Sequence, residues 1–227
     1  MNRVLNFLFA LLLSPILLPI VGAIWLWIRL AEDDDAFYIA ERAGQDCKPF
    51  GLIKFRTMSH DPEDSGVTGG DKAKRITPIG RKLRRYRLDE LPQIINVLKG
   101  DINFVGPRPP LMRYVQAFPD IYGPLLKERP GITGLASILY HRREEALLST
   151  AGTAAETEHL YSNVCVPAKA RLDRWYQQRR TCWLDFRILW MTIHRTGREA
   201  PVKRVSAPMR RLVRAARNRA LAEPHRR

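Results

Sequence analysis

Cysteine, histidine and acidic residues are all scarce in this chain. The three cysteines, Cys47, Cys165 and Cys182, form no CxxC pair, and the five histidines show no metal-ligand spacing with them. An odd number of unpaired cysteines is typical of reduced thiols in a cytosolic protein. The sequence therefore predicts no zinc site.

Acidic residues are outnumbered by basic ones. The chain has 38 lysines and arginines against 23 aspartates and glutamates, which gives a net charge of +15 and a pI near 10.3. Such a charge indicates an anionic partner: nucleic acid, anionic lipid or a phosphorylated substrate. A hydrophobic fraction of 45% over 227 residues is enough for one domain with a real core plus appendages.

Charge is absent from the 25 residues between Val4 and Ile28. As a straight helix this segment measures roughly 37 Å, enough to cross a hydrocarbon core of about 30 Å. Pro15 and Pro19 interrupt it, and the Ser14 hydroxyl can satisfy a carbonyl that proline leaves unbonded. The segment is therefore either a kinked span or a broken helix that enters and returns on one face. A secretory signal is disfavoured, because no small-residue cleavage site follows.

Two adjacent carboxylates, Asp89 and Glu90, come at the end of a dense basic run. The members of the run are Lys72, Lys74, Arg75, Arg81, Lys82, Arg84, Arg85 and Arg87. Pro92 fits the first turn of a helix that ends at Gly100, which puts Asp89 at or near a helix N-terminus. Backbone N–H groups and cations there predict a low pKa and an ionised carboxylate. Such a group is suited to attack phosphorus or to hold a divalent metal, although a helix cap is the commoner use of the pattern.

Arg108 lies between prolines in the stretch Gly106 to Pro110. The prolines hold its backbone extended, which prepares the guanidinium to bind phosphate oxygens through two hydrogen bonds. A plain proline-rich turn is the alternative. Two further cations, Lys54 and Arg56, stand in the apolar stretch Phe50 to Met58, which predicts a strand.

The C-terminal part carries an aromatic stripe and then a basic tail. Trp183, Phe186, Trp190 and Ile193 recur at helical spacing, which fits either a core face or burial in a membrane interface. Residues 203–227 hold nine cations and one acid. This tail is either a basic amphipathic helix on a membrane surface or a solvated, largely disordered segment.

Several stretches occur in one characteristic order. They are the apolar segment with Ser14-Pro15, Lys54 to Met58, Ile76 to Arg81, Leu88 to Gln93, Asn96 to Asp101, Val105 to Pro109, Arg129 to Ala136, and the helix from Asp173 to Tyr176. Together they resemble the bacterial sugar transferase family, the monotopic phosphoglycosyl transferases that start glycoconjugate assembly. The resemblance runs to about residue 196. Cys47 departs from a glycine common in the family, and Ser137 to Tyr140 departs from its usual Gln-Val-x-Gly-Arg.

The resemblance implies transfer of a sugar-1-phosphate from a nucleotide sugar, with a UDP sugar as the expected donor, to a polyprenyl (undecaprenyl) phosphate. It implies Mg²⁺ as the cofactor that neutralises the diphosphate. Asp89 is then the nucleophile and a metal ligand, while Glu90 orients other groups or accepts a proton. The candidate phosphate ligands are Lys54, Arg56, Arg81, Arg87 and Arg108.

The expected fold is α+β and mostly helical. Residues 1–30 are expected to form a re-entrant membrane helix broken at Ser14 and Pro15. Residues 31–200 form a small catalytic domain on the membrane surface, and residues 201–227 form the basic tail. Re-entry is expected because cytosolic substrates require the domain at the cytoplasmic face of the bacterial inner membrane, and the break lets the N-terminus stay on that side.

Two other classes of protein compete with this interpretation. A membrane-tethered nucleic-acid binder would explain the charge, but the sequence has no recognisable nucleic-acid motif, and the basic run from Lys72 to Arg87 contains a single aromatic residue, Tyr86. A phosphatase with an aspartyl intermediate would share the type of nucleophile, but Asp89 does not stand in the DxD signature of that class. The resemblance therefore predicts no nucleic-acid partner.

Overall fold

Helices dominate the described part of the chain, and two short sheets support them. The computed structural model describes residues 3–32, 34–59 and 75–195. The helices are α1 (Arg3–Ala31), α2 (Pro78–Arg85), α3 (Gln93–Lys99), α4 (Met112–Ala117), α5 (Pro119–Leu125), α6 (Leu135–Leu139), α7 (His141–Leu148), α8 (Ala154–Leu160), α9 (Val166–Gln178) and α10 (Cys182–Arg195). The strands are β1 (Phe37–Ala43), β2 (Pro49–Phe55), β3 (Asn103–Val105) and β4 (Gly131–Thr133). The predicted mostly helical fold is confirmed, whereas Lys72, Lys74 and the predicted tail lie outside the described residues.

The N-terminal helix α1 continues through both of its prolines. Pro15 has no N–H to donate to the carbonyl of Leu11, and the Ser14 hydroxyl donates to that oxygen instead, at 2.8 Å. The expected role of Ser14 beside the proline is therefore confirmed. The expected break of the helix at Ser14 and Pro15 is not found, however, because the backbone stays helical from Arg3 to Ala31 and Pro15 lies within one continuous helix.

One face of α1 packs along the rest of the domain. Near its start, the Asn6 side chain accepts a hydrogen bond from the backbone N–H of Phe104 at 3.0 Å. Near its end, the buried Ile28 joins a cluster with Phe55 and Leu83. The segment from Asn6 to Ile28 measures about 33 Å along the helix axis at 1.5 Å per residue. The helix therefore contacts the domain over most of its length.

The opposite face of α1 is apolar and exposed. Its exposed residues include Leu8, Leu12, Ile16, Ile20, Trp25, Leu26 and Leu30. Among the described residues, α1 is the one helix long and apolar enough to cross a membrane. A continuous apolar surface of this kind needs a nonpolar environment, which fits a membrane-anchored domain.

The hairpin of β1 and β2 is tied to α3 by one buried amide. Asn96 accepts a hydrogen bond from the N–H of Ile53 at 3.0 Å and donates to the carbonyl of Gly51 at 2.8 Å. It also donates to Asp101 at 2.9 Å. These bonds satisfy the outer edge of β2 and fix α3 against the hairpin. The stretch Asn96 to Asp101 therefore has a structural explanation in this fold.

A second sheet joins two stretches that are far apart in sequence. Strands β3 and β4 pair in parallel, with Val105 opposite Thr133. A side chain at Gly131 would bring its Cβ within 2.2 Å of the Gly106 nitrogen, so this close approach requires glycine. The pairing holds the segment that carries Arg108 in place. The sequence stretch Arg129 to Ala136 thus contains a short strand, β4.

The aromatic stripe of α10 faces outward. Trp183, Phe186, Trp190 and Ile193 are 54–68% exposed, while Ile188 on the opposite face is buried in the main core. Of the two sequence interpretations, this exposure favours the membrane interface over the core.

Candidate active site

The two adjacent carboxylates lie in a tight turn just before α3. Arg87 adopts a left-handed backbone conformation with φ 53°, and residues Leu88–Glu90 form one turn of 3₁₀ helix. Pro92 then caps α3, which ends at Gly100 with φ 83°, a conformation that glycine tolerates. The predicted helix is confirmed. Asp89 lies in the turn that leads into it and not within its first turn.

Glu90 is held by two arginines. One carboxylate oxygen accepts a hydrogen bond from Arg108 at 2.7 Å, and the other accepts from Arg87 at 2.8 Å. Burial would raise the pKa of Glu90, but the charges of Arg108 and Arg87 and their hydrogen bonds lower it to about 2. Glu90 is therefore an ionised and fully engaged carboxylate at neutral pH.

The Asp89 carboxylate, unlike that of Glu90, is not held by any arginine that the structure describes. Its side chain makes no hydrogen bond or ion pair with any described residue. Burial, followed by the charge of Glu90, raises its pKa, although Arg108, Arg84 and Lys54 act against the rise. The expectation of a low pKa is thus wrong, because burial and a like-charged neighbour outweigh the nearby cations. The result is a partly buried carboxylate whose oxygens are available to a ligand.

Three cations surround Asp89. Burial, and then the charge of Arg42, lower the pKa of Lys54 to about 8. Arg84 donates from Nε to the Thr57 hydroxyl at 2.8 Å, and Asp89 raises its pKa against the effect of burial. Arg108 completes the group. Three cations next to one carboxylate make a site suited to the oxygens of a phosphate group.

The predicted phosphate ligands fall into two groups. Lys54, Arg87 and Arg108 come together around the carboxylates. Arg56 donates to the backbone oxygen of Asp35 at 2.8 Å, and Arg81 lies exposed on α2. Arg56 also lies 5.8 Å from the centroid of the Tyr38 ring, and Lys54 lies 5.0 Å from the same centroid. Arg56 therefore borders the cluster, whereas Arg81 makes no contact with its members in the described part of the chain.

Two members of the cluster were not singled out from the sequence. Arg84 belongs to the basic run, but only the folded chain brings it to Thr57. Arg42 lies on β1, where the register places Arg42, Tyr38 and Lys54 on one face of the hairpin. The alternation Tyr38–Ala40–Arg42 along β1 was the one sequence signal that could have indicated Arg42.

The residues around Asp89 fit a magnesium ion that is shared with a substrate. The described residues contain no group of three histidine, cysteine or acidic side chains that could hold a metal. Mg²⁺ needs no such group, because proteins usually bind it through one or two carboxylates together with substrate phosphates and water. With Glu90 occupied by arginines, Asp89 is the carboxylate that remains for this purpose.

Comparison with known proteins points to one family. The family model described as bacterial sugar transferase matches residues 1–199. The chain is 35% identical over 168 residues to the uncharacterized sugar transferase EpsL of Bacillus subtilis, covering 74% of this chain and 73% of that one.

Two longer relatives have more specific names. The chain is 30% identical over 198 residues to the UDP-N-acetylgalactosamine-undecaprenyl-phosphate N-acetylgalactosaminephosphotransferase of Aeromonas hydrophila. It is 32% identical over 197 residues to the UDP-glucose:undecaprenyl-phosphate glucose-1-phosphate transferase of Escherichia coli. Each match covers 85% of this chain, but only 42% and 39% of the two relatives.

Proposed function

The chain belongs to the bacterial sugar transferase family, and we propose that it transfers a sugar-1-phosphate from a UDP sugar to undecaprenyl phosphate through a covalent ester on Asp89. Its class, a sugar-phosphate transferase, follows from the family and from the names of its relatives. The observation that carries the proposed mechanism is the contrast between the two carboxylates. Glu90 is fully paired with arginines, whereas Asp89 has no partner among the described residues and lies among cations.

The reaction proceeds in two displacements at one phosphorus atom. A carboxylate oxygen of Asp89 attacks the phosphorus that bears the sugar, and the bond from that phosphorus to the bridging oxygen breaks to release UMP. An oxygen of undecaprenyl phosphate then attacks the same phosphorus, and the Asp89 carboxylate leaves. Lys54, Arg84 and Arg108 stabilise the charge on the phosphate oxygens during both steps.

Glu90 serves as an orienting group in this mechanism. It was expected either to orient other groups or to accept a proton from the lipid phosphate. A pKa of about 2 makes it a poor proton acceptor at neutral pH. Its bonds to Arg87 and Arg108 support the first role, because they fix the guanidinium of Arg108 next to Asp89.

Magnesium is the proposed cofactor, with Asp89 as its protein ligand. When bound, Mg²⁺ supplies positive charge that neutralises the diphosphate and offsets the like charge of Glu90. Asp89 would be the residue of this chain that holds the ion, together with the phosphates of the substrate. Removing divalent ions with a chelator should abolish turnover, and adding Mg²⁺ should restore it.

The proposed attachment is monotopic, on the cytoplasmic face of the bacterial inner membrane. Contact of α1 with the domain at both Asn6 and Ile28 supports this, since a helix that crossed the bilayer away from the domain would lose one of these contacts. The outward stripe of α10 adds a second apolar surface. A cysteine at position 2 should resist membrane-impermeant reagents in intact cells, and labelling from outside would contradict monotopic attachment.

The activity can be tested with membranes that contain the protein. Incubation with a panel of radiolabelled UDP sugars and undecaprenyl phosphate should move label into the lipid extract for at least one sugar. The same membranes with Asp89→Asn should give no such product. Label that appeared as free sugar or free phosphate would contradict the transferase assignment and favour a hydrolase.

A further inference from the structure

Arg42 lies beside the proposed site, and no role has yet been assigned to it. The backbone N–H of the next residue, Ala43, donates to the carbonyl of Pro110 at 2.9 Å. This bond fixes the end of β1 against the segment that carries Arg108. On the other side, the hairpin register puts Arg42 on the same face as Lys54. Arg42 is therefore positioned by two elements that both contribute cations to the site.

The Arg42 side chain has no anionic partner among the described residues. It forms no ion pair with them, and its Nε atom is buried without a hydrogen bond. Burial and then the charge of Arg108 lower its pKa, and its other strong electrostatic neighbours are Tyr161, Tyr38 and Tyr114. A buried cation that faces other cations costs folding free energy. Such an arrangement is explained if an anionic ligand completes it.

The position of Arg42 relative to Asp89 indicates which part of the ligand it meets. The strongest electrostatic neighbours of Asp89 are Glu90, Arg108, Arg84 and Lys54. Arg42 is not among them, yet Lys54 interacts with both Arg42 and Asp89. Lys54 thus connects the group around Asp89 to Arg42.

We infer that Arg42 binds the phosphate that leaves with the nucleotide, while Lys54, Arg84 and Arg108 bind the phosphate that is transferred. This inference depends on the proposed function, which supplies a diphosphate substrate. The two phosphates of the donor share one bridging oxygen. When the phosphate that bears the sugar lies at Asp89, the second phosphate therefore lies close by, next to Arg42. The Arg42 guanidinium can bind that phosphate through two hydrogen bonds.

The stability of the protein without ligand separates this role from a structural one. The full chain would be purified in detergent, and its melting temperature measured with and without UMP, which represents the leaving group. Arg42→Met keeps an unbranched, largely apolar side chain and removes the charged guanidinium. If Arg42 is a ligand group, this variant should melt at the wild-type temperature or above it without UMP. If Arg42 is a structural cation, it should melt lower.

Binding of UMP provides the second measurement. Loss of one charge-assisted contact should weaken UMP binding by about 10- to 100-fold, and the shift in melting temperature caused by UMP should shrink accordingly. Arg42→Lys keeps the charge without the paired donors and should be intermediate. Arg174→Gln is the matched control, because Arg174 is exposed and bonds only to the backbone of Asp120. It should bind UMP like the wild type.

Steady-state kinetics complete the test. Arg42→Met should raise KM for the UDP sugar and leave KM for undecaprenyl phosphate unchanged. A selective rise in KM for the lipid would overturn the inference by assigning Arg42 to the acceptor. Unchanged UMP affinity together with a lower melting temperature would overturn it in favour of a structural role. A wild-type protein that did not bind UMP at all would instead refute the proposed donor, and the inference with it.

Discussion

Two clusters of charge in this domain are balanced in opposite ways. Around the proposed active site, cations exceed carboxylates. The cations are Arg42, Lys54, Arg84, Arg87 and Arg108, and the carboxylates are Asp89 and Glu90. Between α7 and α9 the balance reverses, because Lys169 is the cation shared by two buried or largely buried acids, Glu144 and Asp173.

The second cluster holds helices together. Lys169 donates to Glu144 at 2.9 Å, and both side chains are less than one-fifth exposed. Burial alone would lower the pKa of Lys169, but Tyr161 and Glu144 raise it overall. Burial raises the pKa of Asp173 to about 7, against the effects of Lys169 and of a hydrogen bond from the backbone of Ala136.

This difference indicates that the groups of one cluster stabilise the fold, whereas those of the other are available to bind a ligand. Lys169 and Glu144 satisfy each other, so removing either one leaves a buried charge behind. Asp89 and Arg42 have no such partners among the described residues, so removing either one should cost the fold little. Substitutions should therefore affect stability in one cluster and activity in the other.

The largest expected effect is on catalysis, at Asp89. Asp89→Asn keeps the shape of the side chain and removes the nucleophile, so turnover should fall by on the order of 10³-fold or more. The melting temperature should not fall, because the variant also removes a buried carboxylate next to Glu90. Turnover is measured as lipid-extractable product, with the exposed Asp120→Asn as control. Near-normal turnover in Asp89→Asn would contradict the assignment of activity to one cluster and stability to the other.

Glu90→Gln should separate the orienting role of Glu90 from the nucleophilic role of Asp89. It weakens the positioning of Arg87 and Arg108, so overall turnover should drop. Asp89 is still present, however, so the first displacement, which releases UMP from the donor, should remain detectable.

The next largest effect is on stability, at Lys169. Lys169→Met leaves Glu144 buried without its partner and should lower the free energy of unfolding by about 2–3 kcal/mol. The double variant Lys169→Met, Glu144→Gln should lose less than the sum of the two single losses, because the pair is removed together. Urea unfolding in detergent measures all three. Additive losses would show that the two residues do not stabilise each other.

The smallest effect should appear at Asp173 and depend on pH. Its pKa of about 7 in the folded protein exceeds the unfolded value of about 3.9. Between these values the folded protein binds more protons than the unfolded chain, so this group lowers stability as pH rises, with the full loss present above about pH 7. Asp173→Asn should be more stable than the wild type by about 1–2 kcal/mol at pH 8, a value limited by the amide's own need for partners. This advantage should shrink toward pH 5, and a difference independent of pH would contradict it.

Local sequence signals predicted the elements that carry the carboxylates. Pro92 and Gly100 mark the two ends of α3 through backbone preferences that depend on the residue itself. In each case the signal and the structure lie within a few residues of each other.

Features that depend on distant contacts could not be predicted in the same way. The pairing of β3 with β4 joins three-residue strands across a long stretch of chain, and the need for Gly131 arises only when Gly106 lies against it. The pKa of Asp89 was predicted in the wrong direction, because burial is a property of the folded domain. Arg42 was missed for the same reason, since its neighbours come from other segments.

The most direct test of the central claim is mass spectrometry of the protein after incubation with its UDP sugar and Mg²⁺ but without lipid acceptor. The account predicts an added sugar phosphate on the peptide that contains Asp89, no adduct in Asp89→Asn, and loss of the adduct when undecaprenyl phosphate is supplied. An adduct on another residue, or none under conditions in which the complete reaction proceeds, would contradict it.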